Sequence, residues 1–194
     1  MKVSREQMAA NRRRILEEAS RLFRERGFAA VTVADVMKAA GQTHGGFYGH
    51  FASKDDLIAA TIADTLAGEG SAMTDVEAWT DAYLSPLHRD NPAYGCPMAS
   101  LAGLMSHQSS EARAAMAHGL STHLDRLADR VTATDAADRR RTAIGQWSAM
   151  VGAVVLSRAI DDADLSEELL RETRAWLAVA RHDSTSHDRK DDQA

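Results

Sequence analysis

The stretch from Thr32 to Lys54 (T-V-A-D-V-M-K-A-A-G-Q-T-H-G-G-F-Y-G-H-F-A-S-K) holds the side chains best suited to recognition chemistry. Gln42, Thr43, His44, Tyr48, His50 and Lys54 bring hydrogen-bond donors, acceptors and a cation close together in the chain. Such groups suit phosphate oxygens and the edges of bases. No comparable set points to bond-breaking. The chain has no G-x-S-x-G, P-loop or dinucleotide fingerprint, and its Ser, His and Asp residues form no pattern that stands out. No catalytic residue is assigned, and an enzyme is the rival class that the sequence disfavours. His118 and His123 lie five apart, not the four that sets two ligands on one helix face. His182 and His187 fall near the end of the chain, and no Cys/His cluster has zinc spacing, so neither metal nor cofactor is expected.

Two short helices and a glycine turn must position the recognition residues. Thr32 can cap the first helix, with Asp35 three residues on in a variant capping box. Val33, Val36 and Met37 give that helix one apolar face, and Gly41 supplies the left-handed residue that ends it. Thr43 is placed to cap the second helix, in which Phe47 and Phe51 lie four apart and point inward. This is the layout of a helix-turn-helix, whose second helix enters the major groove. Gly45, Gly46 and Gly49 weaken that helix by roughly 1 kcal/mol each relative to alanine. They let its backbone approach DNA closely and leave Gln42, Thr43 and His44 as the base readers. An earlier helix from about Arg5 to Arg26 turns Ile15, Ala19, Leu22 and Phe23 inward and stops at Gly27. Arg12, Arg13 and Arg14 wrap around it: two read as a solvated face and one as reaching phosphate.

Together these pieces resemble the DNA-binding head of the TetR family of one-component transcriptional repressors. The resemblance rests on Arg14-Ile15-Leu16-Glu17-Glu18-Ala19, Leu22-Phe23, Arg26-Gly27-Phe28, Val31-Thr32-Val33 and Ala39-Ala40-Gly41. Phe47-Tyr48, His50-Phe51 and Ser53-Lys54 complete it, in the family's order and over roughly the first third of the chain. Gln42 departs from the pattern, since the family usually has an apolar residue there. The resemblance implies an all-α fold with a three-helix head over 1–53 and a helical ligand-binding and dimerisation body over 54–181. It also implies phosphate contacts from Tyr48, Lys54 and Thr32, a double-stranded operator as partner, a small-molecule inducer and a homodimer.

Composition agrees. Apolar residues make up 44% of the 194, enough for a core, and three prolines with no strand alternation favour helices. The net charge of −5 hides an asymmetry: residues 1–54 carry ten Lys/Arg against five Asp/Glu, a net +5, which leaves −10 on the remainder. A basic head on an acidic body directs nucleic acid to one end. The start Met1-Lys2-Val3-Ser4-Arg5 has no apolar core, and the longest apolar run, Ala149–Leu156, cannot span a bilayer. One cysteine fits a reducing compartment. A cytoplasmic protein with no membrane partner is the expectation.

In the body, a helix from Ser53 with Asp56 in a capping box links head to body, and Gly68-Glu69-Gly70-Ser71 breaks it. Helices follow around Val76–Leu84, from Pro97, from Ser109 or Ser110, over about Ala136–Ile160 and after Asp164, with Leu87–Gly95 as loop. Trp79, Tyr83, Met98, Leu101, Met105, Met116, Leu120, His123, Trp147 and Met150 are candidate walls of an apolar inducer site, each as readily ordinary core. Cys96 precedes a helix beginning at Pro97, where a thiol becomes reactive if exposed and inert if buried. That leaves electrophile or oxidant modification of Cys96 as an alternative signal. Ala149, Gly152, Ala153, Leu156, Thr173, Trp176 and Leu177 on the last two long helices match the family's dimer element, small residues allowing close approach and large ones burying area. Residues 182–194 are charged and read as a disordered tail.

Overall fold

A computed structural model describes residues 4–68, 75–131, 133 and 135–191, of which 181–191 are described as backbone only. Every described element is helical. Nine α-helices run Arg5–Ala30 (α1), Val33–Ala39 (α2), Lys54–Gly68 (α3), Val76–Tyr83 (α4), Pro86–Asp90 (α5), Pro97–Leu101 (α6), Ser110–Ala128 (α7), Ala136–Ala159 (α8) and Ala163–Asp191 (α9). Three 3-10 segments, His44–Gly49, Pro92–Tyr94 and Ala102–His107, lie between them.

The chain forms two compact units: residues 1–69 with 92–120, and residues 70–91 with 121–194. This partition differs from a head that ends at residue 53. In the first unit, α3, the Pro92–Tyr94 turn and α6 all pack on α1. Arg24 of α1 donates from Nη1 to the Gly95 carbonyl at 2.9 Å, fixing that turn. Ile15, Ala19, Leu22 and Phe23 of α1 close over Val36, Met37, Phe47, Phe51, Leu57 and Ile58, all buried. Gly27, at φ 76°, breaks the α1 path where the sequence suggested its end, and three further residues turn helically before Val31. A side chain there would also meet the Leu104 Cδ1 at 3.2 Å.

Several local readings change. Pro86 begins a helix rather than ending one, because proline suits a first helical position and Ser85 caps it by accepting from the His88 N–H at 3.2 Å. The segment 87–95 is therefore α5 plus a 3-10 turn, not open loop. The helix expected from Pro97 through Met105 is divided into α6 and a 3-10 segment at Ala102. The predicted break at Gly68–Ser71 falls largely outside the described residues. Helix α9 continues to Asp191, past the start of the expected tail, since neither glycine nor proline interrupts it. Among the described residues no helix is long and apolar enough to cross a membrane.

Candidate functional site

The head is assembled by capping and by aromatic packing. Thr32 Oγ1 accepts from the Asp35 N–H at 3.1 Å, and Asp35 Oδ2 accepts from the Thr32 N–H at 2.9 Å: a full capping box. Thr32 Oγ1 also donates to Asp35 at 2.6 Å, and this bond above all holds the Asp35 carboxyl below its ordinary range. At the other end of α2 the Gln42 N–H bonds the Met37 carbonyl and the Gly41 N–H bonds that of Lys38, a Schellman turn with Gly41 at φ 66°.

The second helix of the motif is a single 3-10 segment, not an α-helix, and Thr43 makes no side-chain cap. Three glycines in six residues explain the weak start: each adds backbone entropy and none supplies packing. Phe47 and Phe51 stack inward with ring centroids 5.7 Å apart. Tyr48 meets Phe47 edge-on at 5.2 Å yet is 70% exposed. Thr32, Thr43, His44, Gly45 and Gly46 are likewise exposed, while Gln42, His50 and Lys54 are half-buried.

Two of the cations have internal tasks. Arg12 donates to the His50 carbonyl at 2.6 Å and lies 4.3 Å from the Phe51 ring centroid, so it braces the recognition segment against α1. Arg13 and Arg14 remain exposed. Burial, with the Arg12 charge beside it, pushes the His50 pKa down, so that ring is neutral near pH 7. Lys54 Nζ donates to the Phe28 carbonyl at 2.6 Å and ties α3 to the end of α1. No sequence pattern marks these braces, because each joins side chain to backbone across a long stretch of chain.

Residues 15–61 match the profile described as bacterial regulatory proteins, tetR family. The HTH-type transcriptional repressor KstR2 of Mycobacterium tuberculosis is 28% identical over 181 residues, covering 89% of this chain and 82% of that protein. The N-terminal region of this chain therefore carries a tetR-family DNA-binding domain. The HTH-type regulator TtgR of Pseudomonas putida is 39% identical over 59 residues, 30% of this chain and 28% of that one. Among solved structures, reduced E. coli NemR superposes with a TM-score of 0.70 at 20% identity, covering 87% of this chain and 95% of that one. A TetR regulator from Legionella pneumophila gives 0.69 at 20%, covering 87% and 95%. TetR-family regulators bind DNA through this helix-turn-helix and are not enzymes.

The ten candidate ligand residues fall into two groups. Met98, Leu101, Met105 and Met116 are buried and Leu120 half-buried in the first unit; Tyr83, His123, Trp147 and Met150 are buried and Trp79 half-buried in the second. In the second group the Trp147 ring lies 4.2 Å from His123, 5.2 Å from Tyr83 and 5.9 Å from Trp79. A separate polar cleft of about 370 Å³ includes none of the ten. Its arginines are structural: Arg158 donates to the His88 and Arg89 carbonyls at 2.8 Å, and Arg89 to Ser166 Oγ at 2.9 Å.

Cys96 occupies the N-cap of α6 but is only 7% exposed. That burial favours packing over reactivity. Of the candidate dimer residues, Leu156 and Trp176 are 53% and 54% exposed, and Ala149, Gly152 and Thr173 are half-buried. Ala153 and Leu177 are instead buried within the single chain, where α8 packs on α9, so they belong to its core. Among the described residues no three His, Cys, Asp or Glu side chains are grouped to hold a metal ion.

Proposed function

We propose that this regulator is a homodimeric repressor that acts in the cytoplasm on a pseudo-palindromic operator and is released by a small, mainly apolar ligand bound in its body. The observation that carries the reading is the exposed face of the His44–Gly49 segment, held by buried Phe47 and Phe51. His44, Thr43 and half-buried Gln42 read base edges; Tyr48, Lys54 and Thr32 contact phosphates. The cap commits the Thr32 hydroxyl proton to Asp35, so Thr32 donates to phosphate only after that bond opens. His50 contributes as a neutral group. Repression is supported by the KstR2 likeness.

The dimer reading rests on apolar side chains that one chain leaves uncovered. Val155 and Leu156 on α8 and Trp176 and Val179 on α9 are all exposed. Such exposure on two neighbouring helices marks a protein contact. The ligand shifts the balance only by binding the DNA-free conformation better than the DNA-bound one.

Binding of a fluorescent operator by variants tests the base-reading assignment. Tyr48→Phe lowers affinity for every duplex by a similar factor, whereas His44→Ala changes which base pairs are preferred at its position. An unaltered sequence preference in His44→Ala removes that histidine from the readers.

A further inference from the structure

His123 of α7 is 5% exposed, and neither ring nitrogen has a hydrogen-bond partner among the protein groups. Aromatic rings surround it: Trp147 at 4.2 Å between centroids and Trp79 at 6.4 Å, with Tyr83 5.5 Å from Trp79. A histidine that only filled the core would satisfy at least one nitrogen, as the great majority of buried polar groups do. This one carries an unmet donor and an unmet acceptor whose desolvation has already been suffered on folding. A guest that pairs them therefore binds more tightly than it would to an exposed imidazole.

We infer that the second unit holds a site for a flat, uncharged aromatic ligand bearing a hydroxyl group, read by the imidazole of His123 and enclosed by Trp79, Tyr83 and Trp147. The inference rests on the reading that the body takes a small ligand, and names the class. Stacked and edge-on aromatic contacts select planar rings. A hydroxyl both donates and accepts, so it pairs with whichever nitrogen faces it. Burial first, then the charges of Arg126 and Arg130, lower the His123 pKa to about 4, so near pH 7 the ring is neutral and provides no counter-charge for a carboxylate. Trp79, the half-buried member of the group, is the ring with a route to solvent, so a guest enters beside it.

Calorimetric titration of the full-length protein with 2-naphthol, 2-methoxynaphthalene and 2-naphthoate tests this, with histidine ring nitrogens followed by NMR. The inference expects naphthol to bind at least about tenfold more tightly than the methyl ether or the acid, a ratio that one hydrogen bond accounts for. It expects one His123 nitrogen to shift on binding. In His123→Phe the naphthol advantage disappears while the ether binds as before. Should that variant misfold, the wild-type ratio and the nitrogen shift decide alone. Equal binding of naphthol and ether, preference for the acid, or His123 nitrogens that are already hydrogen-bonded to water and do not respond would each overturn it. Operator release is measured alongside. If none of the three probes binds while another compound releases the operator, this site falls and the ligand reading stands. If naphthol binds as expected without affecting any DNA complex, the site stands and the inducer reading falls.

Discussion

At the scale of single residues, the recognition segment is unusual for what its glycines do not do. Neither Gly45 nor Gly46 has positive φ. A Cβ on Gly45 would meet nothing within 4 Å, and one on Gly46 would make only ordinary contacts with Thr43 and Met37. The fold therefore accepts alanine at both, and the proposed close approach to DNA would account for glycine there. Gly45→Ala should raise the stability of the head by about 0.5–1 kcal/mol, measured by thermal unfolding, and weaken operator binding severalfold. A variant equally stable or more so, with unchanged affinity, would show that the methyl group meets no DNA. The residue pattern made much of this legible: Thr32 with Asp35, Gly41, and inward Phe47 and Phe51 can all be read from spacing. The tasks of Arg12 and Lys54 cannot, because their partners are carbonyls 38 and 26 residues away. A charge in sequence looks the same whether it meets solvent, phosphate or backbone.

At the scale of elements, helix existence followed from periodicity, whereas helix type and length depended on local chemistry that periodicity does not report. The second helix of the motif became 3-10, and Pro86 started a helix, for reasons held in one or two residues. One crossing has functional weight. Gly119 in the middle of α7 faces Leu66 of α3 within the first unit, and a Cβ on Gly119 would lie 2.6 Å from the Leu66 Cβ. Glycine inside a helix costs about 1 kcal/mol relative to alanine, and this contact is its reason. Because α3 starts at Lys54, directly after the recognition segment, a displaced α3 moves the head. Gly119→Ala should destabilise the protein by about 1–3 kcal/mol, the usual cost of overpacking, and change operator affinity. Adding Leu66→Gly, which removes the Cβ that the new methyl group would meet, should restore part of both. Additive losses in the double variant, read from a double-mutant cycle, would mean that the two residues do not share this contact.

At the scale of the whole molecule, the charge division is legible in the sequence: a basic first quarter and an acidic remainder. On the proposed reading, the exposed apolar side chains of α8 and α9 add a partner as a second requirement. Trp176→Asp should convert a dimer to a monomer in sedimentation at micromolar concentration, with helicity retained because the side chain is 54% exposed in the single chain. A wild-type protein already monomeric there would remove the dimer from the account. The central claim joins both properties, since a symmetric dimer of helix-turn-helix heads reads two half-sites. Hydroxyl-radical footprinting of the DNA upstream of the protein's own gene tests it most directly. The account predicts two protected half-sites, related by approximate two-fold symmetry, with centres about 34–36 Å or a whole multiple of a helical turn apart. A single protected half-site, or protection with no sequence preference at physiological salt, would contradict it.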